Sequence, residues 1–300
     1  MQKLTSALLV SFLTAFLTAV FWLVMAREPL PQAQNRFSLR NGEMMPRVGL
    51  QLYSVRRELQ KDVPGTLAKV RQMGFRTVEG GGGYGLTTAQ FRAELDKAGL
   101  KCAGTGADFN KLKTDTDSVI RDAKTMGAEY VMCAWIPHKD KFTLDDARQA
   151  AQVFNAAGEK LRAAGLGLMY HIHGYEFQPH ENGTLFDVLM AETKPGLVDI
   201  EMDVFWVIHP GQDPVALLKK YGKRVRALHI KDKQKGVAGD LTGKAPDSTN
   251  VVAGTGQVKW PAVLRAAGNA GVKYYLIEDE AEAAVEQIPR SLEYLRNVRY

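Results

Sequence analysis

The sequence predicts an α/β protein folded as a single (β/α)8 barrel, and three observations carry that reading. From Val48 onward, short apolar or β-branched runs alternate with longer segments of helical period, giving eight strand–helix units. Those units fill about 250 residues, the size of such a barrel. The first strand, ending Gln51-Leu52-Tyr53-Ser54-Val55-Arg56, is not followed by the glycine-rich phosphate turn of a doubly wound open sheet, the competing architecture.

Strands are expected at Val48–Ser54, Arg76–Glu79, Lys101–Thr105, Tyr130–Ile136, Gly167–His173, Val198–Trp206, Arg224–Lys231 and Tyr274–Glu280. Helices are expected at Gly65–Met73, Thr88–Ala98, Thr114–Met126, Leu144–Ala164, Thr184–Glu192, Pro214–Tyr221, Trp260–Ala270 and Ala283–Val298. Gly74, Gly99, Gly127, Gly165, Gly222 and Gly271 stand where a left-handed C-cap would end a helix. Thr87, Asp213 and Lys259 precede helix starts, and Pro214 and Pro261 suit a first helical turn. The run Gly80–Gly83 lacks GxGxxG or GK[ST] spacing and reads as a flexible active-site loop. The segment Lys233–Val252 reads as a loop over the barrel mouth.

Ahead of the barrel, Lys3 is followed by an almost unbroken apolar run from Leu4 to Ala26. Val24-Met25-Ala26 supplies the small residues of a cleavage site, so residues 1–26 read as a signal peptide or a signal anchor. Residues 27–46 read as a linker and 47–300 as the catalytic domain, which places the domain outside the cytoplasm, in the periplasm or anchored facing it. Contact with a membrane is expected only through the N-terminal segment. The net charge of +6 comes from basic residues scattered among acids, without a basic run interleaved with aromatics, so nucleic acid is not an expected partner. Cys102 and Cys133 lie in apolar strands and read as buried thiols. The sequence leaves open whether copies of the chain form a homo-oligomer.

Parity along the late strands gathers polar residues at their C-terminal ends, where such barrels place their chemistry. His171 and His173 share one face of strand five, Glu201 and Asp203 one face of strand six, His229 and Lys231 one face of strand seven, and Glu278 and Glu280 one face of strand eight. Carboxylates crowded at a barrel mouth repel one another unless a cation compensates. A divalent ion held by His171, Asp203, His229 and Glu278 meets that need, and this mixed nitrogen and oxygen set suits Mn, Co, Zn, Fe or Ni better than Ca or Mg. His138 and His180 read as surface residues. Lys231 is either a site residue or one half of a surface pair with Asp232.

At these residues the chain resembles the sugar phosphate isomerase/epimerase family of xylose-isomerase-like TIM barrels. The resemblance covers about residues 47–300 and rests on Gly49-Leu50-Gln51-Leu52-Tyr53-Ser54, Thr77-Val78-Glu79, Tyr170-His171-Ile172-His173-Gly174-Tyr175-Glu176-Phe177, Asp203-Val204-Phe205-Trp206, Leu228-His229-Ile230-Lys231-Asp232, Gly256-Gln257-Val258-Lys259-Trp260 and Ile277-Glu278. It implies one divalent metal, with Asp203, His229 and Glu278 at three of the family's ligand positions. At the fourth, His171 stands where the family commonly has a carboxylate, in a branch with a Tyr-His-x-His strand five. Glu176, just beyond that strand, is the alternative ligand.

The chemistry so implied is removal of a proton α to a sugar carbonyl, with a metal to polarise the oxygen and a base to take the proton. Glu278 is expected as metal ligand and base, and His173 and Lys231 as hydrogen-bond donors or proton carriers. Gln51, Tyr53, Glu79, Trp206 and His209 are expected to contact substrate, with Tyr53 and Trp206 as an aromatic wall. The loss of one of two carboxylates disfavours a symmetric two-base epimerisation and favours isomerisation, dehydration or β-elimination. With export, the expected substrate is an unphosphorylated sugar or glycoside, a 3-keto-glycoside being the specific case. The alternatives are a keto-sugar isomerase or epimerase on free sugars and a non-catalytic exported sugar-binding protein. An abasic-site endonuclease on a related barrel would need more metal ligands and a basic DNA-facing surface, which the sequence lacks.

Overall fold

The computed structural model describes residues 48–300. The expected signal segment (1–26) and linker (27–46) lie outside the described residues. Eight parallel strands close a barrel: β1 Val48–Gln51, β2 Thr77–Glu79, β3 Lys101–Gly106, β4 Tyr130–Cys133, β5 Gly167–His171, β6 Asp199–Asp203, β7 Val225–Ile230 and β8 Tyr274–Ile277. They pair in the order β1-β8-β7-β6-β5-β4-β3-β2, and β2 returns to β1. The principal helices are α1 Val63–Gln72, α2 Thr88–Ala98, α3 Thr116–Met126, α4 Leu144–Ala163, α5 Leu185–Glu192, α6 Pro214–Tyr221, α7 Trp260–Ala270 and α8 Ala284–Asn297.

Local chemistry sets these boundaries. Thr87, Thr143 and Thr184 open α2, α4 and α5 with reciprocal capping boxes, and Asp213 caps α6 ahead of Pro214. Lys259, by contrast, makes no side-chain cap for α7. Gly222 departs from its expected left-handed cap. It is right-handed and begins a 3-10 turn, and a Cβ there would lie 2.8 Å from that of Ala270, so its small size serves close packing against α7.

Most strands end earlier than their composition suggests, although β2 ends at Glu79 as expected and β3 runs on to Gly106. β1 turns into a 3-10 helix at Leu52–Val55, and β6 stops at Asp203, where a short helix Val204–Ile208 begins. The aromatic and β-branched run Val204–Ile208 has strand propensity, but the Asp203 side chain accepts the Trp206 N–H at 3.0 Å and caps a helix instead.

Most core apolar side chains form one cluster between strands and helices. A smaller one, with Ala103, Tyr130, Met132, Met169, Ala227, Tyr274 and Leu276, fills the barrel interior. Cys102 and Cys133 are free and buried. Among the described residues, no helix is long and apolar enough to cross a membrane.

Candidate metal centre and substrate cavity

Parallel pairing brings the late strand ends to one height. His171 on β5 pairs in register with Glu201 on β6, and Asp203 at the end of β6 pairs with His229 on β7. Glu278 follows β8 directly, and its N–H bonds the Ile230 carbonyl at 3.3 Å. One ligand atom each from His171, Asp203, His229 and Glu278 lies within 4.8 Å of all the others, and all four residues are buried.

The geometry within this set suits a cation. Capping uses Asp203 Oδ1 and leaves the buried Oδ2 without a hydrogen bond. That oxygen stands 3.8 Å from each of His171 Nε2, His229 Nδ1 and Lys231 Nζ. Those gaps are too long for hydrogen bonds, yet the two to the imidazoles suit donors gathered about 2.1 Å from one shared ion, with the Lys231 ammonium beside them as a charge and not a ligand. His229 is flanked by carboxylates on both ring nitrogens, with Glu278 2.6 Å from Nδ1 and Glu79 3.0 Å from Nε2. A neutral imidazole carries one N–H and can satisfy only one side.

The charges reinforce one another. Burial opposes charge on His229, but Glu201 and Glu278 hold its imidazolium well above the usual range. Burial alone would raise Glu278, yet Lys231 and His229 hold it well below the usual carboxylate range. Lys231 is raised against burial by Glu278 and Asp203, and it pairs directly with Glu280. Burial and the charge of Glu201 push Glu79 up to about 7. Positive charge is therefore stabilised at the spot where the four donors converge. The buried His, Asp and Glu cluster is consistent with a divalent metal.

A cavity of about 480 Å³ opens over the cluster, within the usual range for small-molecule sites. His171, His229 and Glu278 form part of its lining together with Gln51, Tyr53, His173, Trp206, Lys231 and Glu280. Gly80 and Gly81 line one side, and Gly243–Ala245, from the expected mouth loop, another. The His173 ring stacks on Trp206 with centroids 4.6 Å apart and planes 21° apart. Desolvation holds His173 well below the ordinary histidine range, and its Nδ1 has no hydrogen-bond partner.

Other expected site residues lie elsewhere. Glu79 is fully buried beneath His229, held by Gln51 at 2.5 Å and by the Tyr130 hydroxyl. Gly104 makes room for that tyrosine, since a Cβ there would meet its ring at 2.1 Å. Glu176 does not enter the four-donor set. It is fully buried behind the cavity, with Oε1 accepting the His173 N–H at 2.9 Å. His209 is not among the cavity-lining residues; it packs behind Trp206, with Nε2 3.5 Å from Asp240.

One alternative is overturned. Lys231 is not half of a surface pair with Asp232, because it is 1% exposed and faces Glu280; neighbouring residues at a strand end point opposite ways. His138 and His180 are both partly exposed, and the His138 ring stacks on Trp135 and packs against Tyr175. Glu201, Glu280 and Tyr130 were assigned no role from sequence. The i, i+2 spacing of Glu201 to Asp203 and of Glu280 to Glu278 is the signal that marks the first two.

Similarity to known proteins agrees with this architecture. The family model described as xylose isomerase-like TIM barrel matches residues 67–298. The inosose dehydratase of Geobacillus kaustophilus is 24% identical over 204 residues, 57% of this chain and 65% of that protein. A shorter match joins the inosose dehydratase of Clostridium tetani, 32% identical over 95 residues and 31% of each chain. The chain thus spans about two thirds or less of the length of these curated relatives. Among solved structures, a sugar phosphate isomerase/epimerase from Parabacteroides distasonis superposes with a TM-score of 0.71 at 24% identity, covering 84% of this chain and 94% of its own. The IolI protein with a bound zinc atom superposes with a TM-score of 0.66 at 13% identity, covering 85% and 99%. The closed parallel barrel and the family match over most of its length place this chain in the xylose isomerase-like TIM barrel family.

Proposed function

We propose that this chain is a metal-dependent sugar enzyme that removes a proton α to a ring ketone and expels a β leaving group, with 3-keto-glycosides as substrates. The observation that carries this reading is a division of labour on the cavity wall. His173 is kept neutral by burial, whereas Lys231 is kept protonated by Glu278 and Asp203. One can accept a proton and the other can donate one, and both line the cavity over the four-donor cluster.

A divalent ion held by His171, Asp203, His229 and Glu278 would polarise the ketone and acidify the neighbouring C–H. In a 3-keto-glycoside that C–H is at C2 and the aglycone oxygen is on C1. His173 takes the C2 proton, the C–H electron pair becomes the C1–C2 double bond, and the C1–O bond breaks. Lys231 gives its proton to the departing oxygen. Glu278, whose proton affinity Lys231 and His229 hold well below the ordinary carboxylate range, serves better as a ligand than as the base. Trp206 and Tyr53 present aromatic surface to the sugar ring. The curated relatives' name, inosose dehydratase, denotes loss of water from a cyclic keto-polyol, which is the same elimination with a different leaving group. This favours dehydration of such a polyol as a second reading.

The test is incubation of the metal-loaded protein with a nitrophenyl 3-keto-glucoside, an inosose and a free ketose. Nitrophenol release supports the proposal, and loss of water from the inosose alone supports the second reading. Isomerisation or epimerisation of the ketose without either elimination overturns both, and so does tight sugar binding with no turnover. Export of the chain through residues 1–26 belongs to the same proposal, and N-terminal sequencing of the mature protein tests cleavage after Ala26.

A further inference from the structure

Glu201 is fully buried, two residues before Asp203 and on the same face of β6. Its Oε2 lies 3.0 Å from His171 Nδ1 and 3.3 Å from His229 Nε2, so one oxygen stands between two imidazoles whose centroids are 4.6 Å apart. Its other oxygen has no hydrogen-bond partner. Glu79 touches only His229 of this pair, and its oxygens are already shared with Gln51 and Tyr130.

Each imidazole turns its remaining nitrogen, His171 Nε2 and His229 Nδ1, toward Asp203 Oδ2. A ligating imidazole needs a lone pair on one nitrogen and an acceptor for the N–H on the other. Glu201 supplies that acceptor to His171 at 3.0 Å, and at His229 Nε2 its oxygen stands 3.3 Å away beside the nearer Glu79 oxygen at 3.0 Å. We infer that Glu201 is a positioning residue, fixing the orientation and tautomer of both imidazoles so that His171 offers Nε2 and His229 offers Nδ1 to a single ion. Glu79, the nearer acceptor at His229 Nε2, shares the task for that ring alone.

Glu79, Glu201 and His229 also lie close enough together to hold an ion of their own. A second ion there would need the His229 Nε2 lone pair while the first takes the Nδ1 lone pair, leaving an imidazole with no proton. The deeper carboxylates therefore receive N–H groups and the chain binds one ion.

This inference rests on the metal reading above, and the experiment separates the two. Co2+ stoichiometry, affinity and visible spectrum are measured on the full chain, wild type beside Glu201→Gln and Glu79→Gln. The expected result is one ion per wild-type chain, binding weakened about 10–100-fold in Glu201→Gln with a shifted spectrum, and a smaller loss in Glu79→Gln. Wild-type binding of one ion with unchanged affinity and spectrum in Glu201→Gln overturns the inference alone. Two ions per wild-type chain overturn it as well, and no ion overturns the metal reading with it. Independently of any variant, long-range 1H–15N correlation on the Zn2+-loaded wild type is expected to show the proton on Nδ1 of His171 and on Nε2 of His229. The opposite assignment at either ring contradicts the role given to Glu201.

Discussion

The imidazole of His173 stacks on the indole of Trp206 with 4.6 Å between ring centroids, and its Nδ1 is left without a partner beside the cavity. Burial keeps this ring neutral. As the base, His173 is expected to matter mainly in turnover. His173→Gln should lower kcat about 10²–10⁴-fold with a smaller change in KM. Steady-state kinetics on the substrate found active in the assay above check this, and a kcat within a few-fold of wild type removes His173 from the base role.

Lys231 offsets three carboxylates. Its ammonium lies 3.8 Å from Asp203 and 3.7 Å from Glu278 and pairs with Glu280. Lys231→Met leaves those groups facing one another, and breaking such a buried pair costs about 3–5 kcal/mol. Urea unfolding of metal-free protein should show that loss, and addition of a divalent ion should restore much of it. Equal stability of metal-free wild type and variant would contradict the charge balance described here.

Glu176 links the site to pH. Burial pushes its carboxyl up to about 7 from an ordinary value of 4.5, and Oε2 has no hydrogen-bond partner. Between these values the folded chain keeps a proton that the unfolded chain has released. Its contribution to stability is therefore whole at low pH and falls as pH rises through the window, by about 3 kcal/mol in total. Glu176→Gln should flatten this part of the stability–pH curve, as followed by urea unfolding from pH 4 to 8. An unchanged slope would show that Glu176 ionises normally.

The segment that returns from the mouth loop to α7 hangs on Asp232. Its two oxygens accept the N–H groups of Lys233, Gly254, Gly256 and Val258 and the indole N–H of Trp260, at 2.8–3.2 Å. Asp232→Asn turns one acceptor into a donor facing donors. Hydrogen bonds to charged groups contribute about 1.5–3 kcal/mol each, so a loss of about 3 kcal/mol or more is expected, with faster amide exchange at Gly254 and Gly256. Protection equal to wild type at those amides would sink this assignment.

Much of this was readable from period and parity. The alternation of strands and helices gives the barrel, and the i, i+2 rule puts His171, Asp203, His229 and Glu278 on inward faces at one level. Strand ends were less legible because the same side chains suit a strand or a turn. Val204–Ile208 has a strand's composition, and only the Asp203 cap makes it helical. Glu79 resembles the other strand-end carboxylates in sequence. A register shift after Val78, with Gln51 and Tyr130 bonded to its oxygens, accompanies its place under His229 instead of in the cavity. Tyr130 reads as an ordinary core aromatic, and its bond to Glu79 spans 51 residues, a distance no local pattern encodes.

The most direct test of the account is the metal content of the purified protein, wild type beside His229→Ala and Glu278→Ala. About one transition-metal ion per chain is expected, lost in both variants while the fold is retained by circular dichroism. Wild-type protein that binds none after loading with Mn, Co and Zn would contradict it, and would move the non-catalytic sugar-binding reading to the front.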